Sequence, residues 1–390
     1  MFAVLLLKAF PRGFRKCGRK NIVCSLCGCG GVCRKTNSLT RISTERLLMK
    51  VLLTGYQGYV GSVMSGYLKS RGHSVIGLDT GYFNGLDLWT PPSVDEVRTV
   101  DMRNVQEKDI EGVEAIIHLA ALSNDPLGDF APELTDDINF KATMKLAEIA
   151  KKHGIKRFVF ASSCSLYGAA DVSKPVDETS PTLPLTPYAK SKIDCENALR
   201  AMKDENFEPV FMRNATCYGD SPRIRIDVVL NNLTARAIVS GEVKLLSDGS
   251  AWRPLMHVED MSASFEAVLT APANLVSGEA FNVGTNEQNY QVIDIAKTVQ
   301  KVVPGCDLTY SDDAQVDARS YRVSFDKLHS VLPNIGFKWN AEKGAAQVAE
   351  RLKAEKAKAE DLFGRKHIRL EQLKYLVENQ KVNAELFWNA

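Results

Sequence analysis

From Lys50 onward, apolar residues gather into short runs of strand length, and segments of helical spacing separate one run from the next. Lys50 to Thr54 and Ser74 to Leu78 are the first two runs. Val97 to Val100, Ala115 to Leu119 and Arg157 to Ala161 repeat the pattern, and Asp136 to His153 carries Ile138, Met144, Leu146 and Ile149 at helical intervals. Strands alternating with helices predict an α/β fold, a doubly wound parallel sheet. Further on, Val292 to Val303 reads as helix and Asp307 to Tyr310 as a short strand. Two closing helices are expected, one striped by Ala345, Val348, Leu352 and Leu362, the other by Leu370, Leu373 and Leu376. Such stripes usually dock on their own domain, with an oligomer contact as the sharper alternative. The pattern contains no internal repeat and no transmembrane run.

The first strand breaks into Gly55, Gly58 and Gly61, spaced three apart, and a helix follows. Glycine lets the backbone turn tightly, admits a pyrophosphate close to the main chain and lets helix pack near strand. The unpaired N–H groups of the first helical turn then face the anion. Asp79, at the end of the second strand, stands where an acid would hold a ribose 2′-hydroxyl, and its charge repels a 2′-phosphate. A glycine trio alone is as often an ordinary strand-to-helix turn. With strand, helix and acid around it, the stretch reads as a Rossmann-like dinucleotide site that favours NAD over NADP.

Composition adds a boundary. With 390 residues, 45% hydrophobic and 25% charged, the chain is an ordinary globular one, large enough for a main domain and a smaller lobe. The net charge of +2 conceals an uneven split: residues 1–48 hold ten Lys or Arg against the single acid Glu45, which leaves the remainder at −7. An acidic body attracts neither nucleic acid nor an anionic membrane, and neither is expected as a partner. The acid-poor leader reads as a transit peptide or as an extension ahead of a later start at Met49, without order of its own. Its Cys24, Cys27, Cys29 and Cys33, with Cys17 upstream, are irregularly spaced and lack a nearby His, so no metal is expected. Cys164, Cys195, Cys217 and Cys306 are scattered, which suits a reducing compartment: the cytoplasm, or an organelle matrix if the leader is a transit peptide.

The Arg157 strand runs into Ser162, Ser163, Cys164, Ser165, Leu166, Tyr167 and Gly168, then a proline-rich loop, then Tyr188-Ala-Lys-Ser-Lys192 where a helix begins. Tyr188 and Lys192 are four apart and share a helix face, so the ammonium can lower the phenol's pKa toward that of a general base. A bare Tyr-x-x-x-Lys is usually two surface residues; here it follows a nucleotide fold and a serine-rich strand end.

With TGYQGYVG, Asp79, VDMRN, HLAA at 118–121, Asn139, SSCSLYG, YAKSK and WRPLMHVED at 252–260, the chain resembles an extended short-chain dehydrogenase/reductase of the NAD-dependent epimerase/dehydratase family, over roughly Met49 to Trp339. The resemblance implies Tyr188 as base, Lys192 as its electrostatic and ribose-binding partner, and Ser163 as the hydroxyl on the reacting oxygen. It implies a cofactor held by Gly55, Gln57, Gly58, Tyr59, Val60, Gly61, Asp79, Asp101, Met102, Leu119, Ala120, Ala121, Asn139, Tyr188 and Lys192. Ser123, Asn214, Thr216, Arg253 and Arg319 are the residues expected on substrate, with a surface ion pair as the plainer reading of each arginine. Family dehydratases carry an acidic pair where this chain has Cys164 and Ser165, and epimerases acting at C3 and C5 carry a cysteine where it has Ser165. Asn214 and Thr216 replace a tyrosine and an asparagine of many sugar-nucleotide enzymes, so the pocket differs from that of an ordinary UDP-galactose epimerase. Specificity is expected in SPRIRIDVVLNNL.

The expected organisation is a leader (1–48), an NAD-binding domain (49–340) whose substrate lobe comes mainly from 215–340, and a helical extension (341–390). The expected activity is NAD-dependent epimerisation of a nucleotide sugar through a transient ketone, by a homodimer. A dehydrogenase or reductase using the same Ser163, Tyr188 and Lys192 is the alternative. A non-catalytic RNA-binding or scaffold protein on this fold is disfavoured by the retained Tyr188 and Lys192 and by the acidic body.

Overall fold

The computed structural model describes residues 47–123, 132–315, 317 and 319–389. The expectations for the basic leader and its cysteines fall outside the described residues.

Six strands come first: β1 (Lys50–Thr54), β2 (Ser74–Asp79), β3 (Glu96–Thr99), β4 (Ala115–His118), β5 (Arg157–Ser163) and β6 (Glu208–Asn214). Then follow β7 (Thr216–Tyr218), β8 (Glu242–Ser247), β9 (Trp252–His257), β10 (Ala280–Val283), β11 (Asn289–Gln291) and β12 (Asp307–Gln315). A seven-stranded, wholly parallel sheet takes the order β10-β6-β5-β4-β1-β2-β3. The chain winds outward from β1 to β3 and returns to start the other half at β4. That reversal leaves a crevice at the carboxyl ends of β1 and β4, where such sheets bind ligands.

Both faces of the sheet are covered, which is why its strands read as unbroken apolar runs. Val51, Leu53, Val75, Ile117 and Val159 pack on one side, and Leu52, Ile76, Ile116, Phe158 and Phe160 on the other. His118 is a polar intrusion into this interior. Its two ring nitrogens lie 2.7 Å from Thr54 Oγ1 and 2.8 Å from Thr143 Oγ1, and burial pushes its pKa down to about 3, so it serves as a neutral tie.

The smaller lobe holds a β11-β9-β7 sheet and a parallel β12-β8 pair. β12 runs to Gln315, past the expected end at Tyr310, across a register shift that keeps it paired with β8. The helix expected from Asp136 is longer and interrupted: Pro132–Thr135 and Ala142–Lys152 are α-helical, and Asp136–Lys141 between them is a π turn. Three closing helices replace the two expected, Ala341–Ala354, Ala359–Leu362 and Arg369–Glu378. Lys356, at a left-handed φ of 49°, ends the first, so Leu362 stands on a turn of its own. Val348, Leu352 and Leu362 pack with Ile224 and Ile226, and Leu373 and Leu376 pack with Tyr82 and Leu122. These helices belong to one compact unit, Arg46–Ala390. Among the described residues no helix is long and apolar enough to cross a membrane.

Beneath the carboxyl ends of β5 and β6 lies a buried ion pair. Glu196, on the helix Pro187–Ala201, accepts from Arg213 Nη2 at 2.7 Å and Nε at 3.0 Å, and from Ser162 Oγ at 2.5 Å. Arg213 Nη1 donates to the Tyr167 hydroxyl at 3.0 Å, which donates to Asn282 at 2.7 Å, so helix, β5, β6 and β10 are joined. Deleting one partner strands the other charge in the interior, at a cost of about 3–5 kcal/mol. Glu196→Ala should therefore lower the urea midpoint steeply, and Glu196→Leu combined with Arg213→Met should recover most of the loss. A single-variant loss under about 1 kcal/mol, as for an exposed pair, would contradict this.

Candidate active site

The crevice is a cavity of about 920 Å³ running from the glycine turn to the smaller lobe. At one end stand Gly55, Gly58, Tyr59, Val60 and Gly61, with Asp79, Asp101 and Met102 beside them. The turn is sterically committed to glycine. Gly55 has φ +70° and a Cβ there would lie 2.9 Å from the Ala120 nitrogen, while a Cβ on Gly61 would lie 2.2 Å from the Gly55 carbonyl oxygen. Leu119, Ala120 and Ala121 form the wall beyond β4.

Asp79 anchors the turn from below, accepting from the Gln57 amide at 3.1 Å and the Gly81 amide at 2.9 Å. Burial raises its pKa, and those two amide bonds with the nearby Arg223 and Arg369 oppose the rise. Asp101 is engaged by its neighbour: Arg103 meets it with Nε at 2.9 Å and Nη2 at 2.6 Å.

The other end carries the predicted acid–base groups. Thr186 caps the helix Pro187–Ala201 by accepting from the Ala189 amide at 3.2 Å, and Pro187 opens its first turn, which sets Tyr188 at the cavity. One turn later Lys192 is buried, its Nζ 5.5 Å from the Tyr188 ring centre and 4.8 Å from that of Phe160. Burial depresses its pKa from 10.5 to about 8. Ser163 Oγ accepts from the Ser165 amide at 3.1 Å, which leaves the hydroxyl hydrogen to be donated into the cavity.

Ser123, Asn214, Thr216, Arg253 and Arg319 also line the cavity. The two arginines share one acid: Arg253 Nη2 lies 2.5 Å from Asp317, and Arg319 Nε 3.1 Å from it. Gln57 and Asn139 are the two predicted residues outside the lining. Asn139 is a splint behind the wall. Its amide bonds both main-chain groups of Leu122, at 2.8 and 3.2 Å, and Ser191 Oγ at 3.2 Å. The π turn that carries it is closed by the Thr143 hydroxyl on the Asn139 carbonyl, at 2.7 Å.

Besides the predicted Asn214, the cavity includes Ser165, Arg225, Asp227 and Arg369, to which the sequence assigned no role. Ser165 Oγ and Asn214 Oδ1 are buried without a hydrogen-bond partner among the described residues. Arg225 grips Asp227 with two contacts of 2.8 Å, and both sit in the SPRIRID stretch where specificity is expected. Arg369 reaches the cavity from the last helix, with no local signal beyond an amphipathic repeat. Cys164 is packing: its thiol donates to the Arg213 carbonyl at 3.1 Å, and burial pushes its pKa up. No metal-binding cluster of three or more His, Cys, Asp or Glu occurs among the described residues.

A model of the NAD dependent epimerase/dehydratase family matches residues 51–284. The chain is similar to an uncharacterized UDP-glucose epimerase, YtcB, of Bacillus subtilis strain 168, with 31% identity over 263 residues, 62% of this chain and 78% of that protein. It is similar to the UDP-glucose 4-epimerase of the same organism, 28% identical over 284 residues, 65% of this chain and 82% of that protein. A UDP-glucuronic acid 4-epimerase from Bacillus cereus, solved with UDP-glucuronic acid and NAD, shares the fold. It has a TM-score of 0.68 and 24% identity, and covers 78% of this chain and 99% of that one.

The burial of Lys192 has a measurable sign. Between about pH 8 and 10.5 the unfolded lysine keeps a proton that the folded one gives up, so the unfolded state binds more protons and stability rises with pH across that window. Below about pH 8 the whole cost of the buried charge is carried. In nucleotide-free protein near pH 7, Lys192→Met should therefore melt at a higher temperature than the native chain, and the advantage should shrink as the pH climbs through 8. A variant that melts lower at neutral pH would show that partners more than compensate the burial.

Proposed function

The chain belongs to the NAD-dependent epimerase/dehydratase family, and from that membership we propose that it inverts one ring carbon of a nucleotide sugar through a transient ketone. The glycine turn suits a dinucleotide, since Gly58 leaves the main chain uncovered and Gly61 brings the helix N-terminus close. Asp79 would hold the ribose, and Lys192 would reach the second ribose and the Tyr188 phenolate. Bound NAD⁺ would supply a hydride acceptor that later gives the hydride back.

Tyr188 takes the proton from the sugar hydroxyl as its carbon is oxidised, and returns it when the carbon is reduced from the other face. Ser163 donates a hydrogen bond to the same oxygen in both directions. The Lys192 ammonium steadies the phenolate more strongly than an exposed lysine would because it is buried. Proton and hydride both leave and both return, so no net redox change remains.

The observation that carries inversion over dehydration is the chemistry between Ser163 and Tyr167. Loss of water needs a general acid there, and the residues present are an inert buried thiol, Cys164, and a hydroxyl, Ser165. The acids that do line the cavity among the described residues are each engaged: Asp79 by two amides, Asp101 by Arg103, Asp227 by Arg225 and Asp317 by Arg253. The relatives named as UDP-glucose epimerases support a nucleoside-diphosphate sugar as substrate.

The test is to extract nucleotide from the purified protein and then incubate it with UDP-, GDP-, dTDP- and CDP-sugars. Co-purifying NAD and an isomeric product without NADH release are expected, and stoichiometric NADH would instead mean a dehydrogenase. Tyr188→Phe keeps the ring and its packing, so NAD binding and melting should hold while turnover falls about a hundredfold to ten-thousandfold. Full activity in that variant would remove Tyr188 as the base. Asp79→Ala should weaken NAD and improve NADP binding, because it deletes a ribose partner and the negative charge that repels a 2′-phosphate. Unchanged preference would show that selection between the two lies elsewhere.

A further inference from the structure

The part of the cavity around Asp79 is covered by chain lying beyond the family match at 51–284: the helix Arg369–Glu378 and the segment after it. Its polar contacts concentrate on the loop that follows Asp79. Gln372 Nε2 donates to the Tyr82 carbonyl at 2.9 Å, the Tyr82 hydroxyl to the Leu386 carbonyl at 2.5 Å, and Trp388 Nε1 to the Thr80 carbonyl at 2.8 Å. Phe387 lies under the guanidinium of Arg103, 3.5 Å from its ring centre, where that arginine also holds Asp101.

Arg369, at the head of this helix, is 3% exposed and lines the cavity. Its Nη2 donates to the Arg223 carbonyl at 2.8 Å and its guanidinium lies 4.3 Å from the Phe83 ring centre. Nη1, although buried, has no hydrogen-bond partner among the described residues. A buried charged donor with nothing to bond is costly. Burial, and after it the charge of Arg225, brings its pKa down to about 9.

The neighbours of Arg369 fix what would answer that donor. Asp79, Arg223, Arg225 and Asp227 all lie within electrostatic reach of Arg369, and Arg225 lies within electrostatic reach of Tyr188. A dinucleotide stretched from Asp79 to Tyr188 has its diphosphate midway, against the glycine turn. Of these three arginines, Arg225 is committed to Asp227 and Arg223 to Asp87, and Arg369 keeps a buried nitrogen without a hydrogen-bond partner among the described residues. The turn itself offers only main-chain N–H groups. We propose that Arg369 is a ligand of the cofactor's diphosphate, so that the closing helix supplies the side-chain cation the glycine turn lacks. The inference rests on the dinucleotide lying in this cavity, as proposed above.

Two probes that differ only in phosphate test it. Nucleotide-stripped full-length protein is titrated with ADP and with adenosine by calorimetry. Arg369→Gln should weaken ADP about tenfold or more, the worth of a charged hydrogen bond, and leave adenosine within about twofold. Arg369→Lys should recover part of the ADP affinity, since an ammonium keeps the charge and loses the fork. Equal losses for both probes, or no loss for ADP, would overturn the assignment. If Arg369→Gln does not fold, Arg369→Lys alone must still lose ADP affinity selectively, and an unchanged ratio overturns the proposal. Native protein that binds neither probe would overturn the placement of the dinucleotide as well, whereas native binding with an unaltered ratio in the variants overturns this inference alone.

Discussion

The Glu196–Arg213 pair is the interaction on which the reactive end of the cavity depends. Glu196 is one turn beyond Lys192 on the helix Pro187–Ala201, and Arg213 is the residue before Asn214 on β6. Ser162, which also bonds Glu196, precedes Ser163 on β5. One buried contact thus ties helix to strands: Ser163 stands next to Ser162, and Lys192 and Tyr188 lie about one and two turns before Glu196 on its helix. Charge buried for that purpose brings little net stability. Its return here is geometric: the paired groups accept only one arrangement, and the hydroxyl, phenol and ammonium inherit it.

The same economy appears across the sheet. His118 is kept neutral by burial and ties Thr54 at the end of β1 to Thr143 behind the π turn. Asn139, on that turn, grips Leu122 just past β4 and Ser191 on the Tyr188 helix. An i+5 turn is a local defect in a helix, and here it frees a side chain to join two walls of the cavity. The residues that line the cavity are thereby backed by polar groups that stand outside its lining.

The Gly55–Gly61 turn, Asp79 and the Tyr188–Lys192 spacing were legible because each is a local pattern with one backbone solution. The sheet was legible for a related reason, since strands covered on both faces must be apolar throughout. Asn139 could be named from resemblance, but its place behind the wall depends on a π turn that no helical periodicity announces. Leu362 looked like one more step of a stripe, and the left-handed Lys356 breaks the helix before it. Arg369 was the least legible, because its meaning comes from Asp79 and Arg223, far away in sequence. Neither partner leaves a mark on the amphipathic stretch that carries it.

The bonds from Gln372, Leu386 and Trp388 to the loop at Thr80 and Tyr82 join residues 290, 304 and 308 positions apart. A chain growing from its N-terminus lays down its first half, with the glycine turn and β2, long before the segment that covers them exists. Those contacts cannot form until residues 372–388 have cleared the ribosome. The crevice beside Asp79 therefore stays uncovered during synthesis until that segment emerges and folds back onto β2.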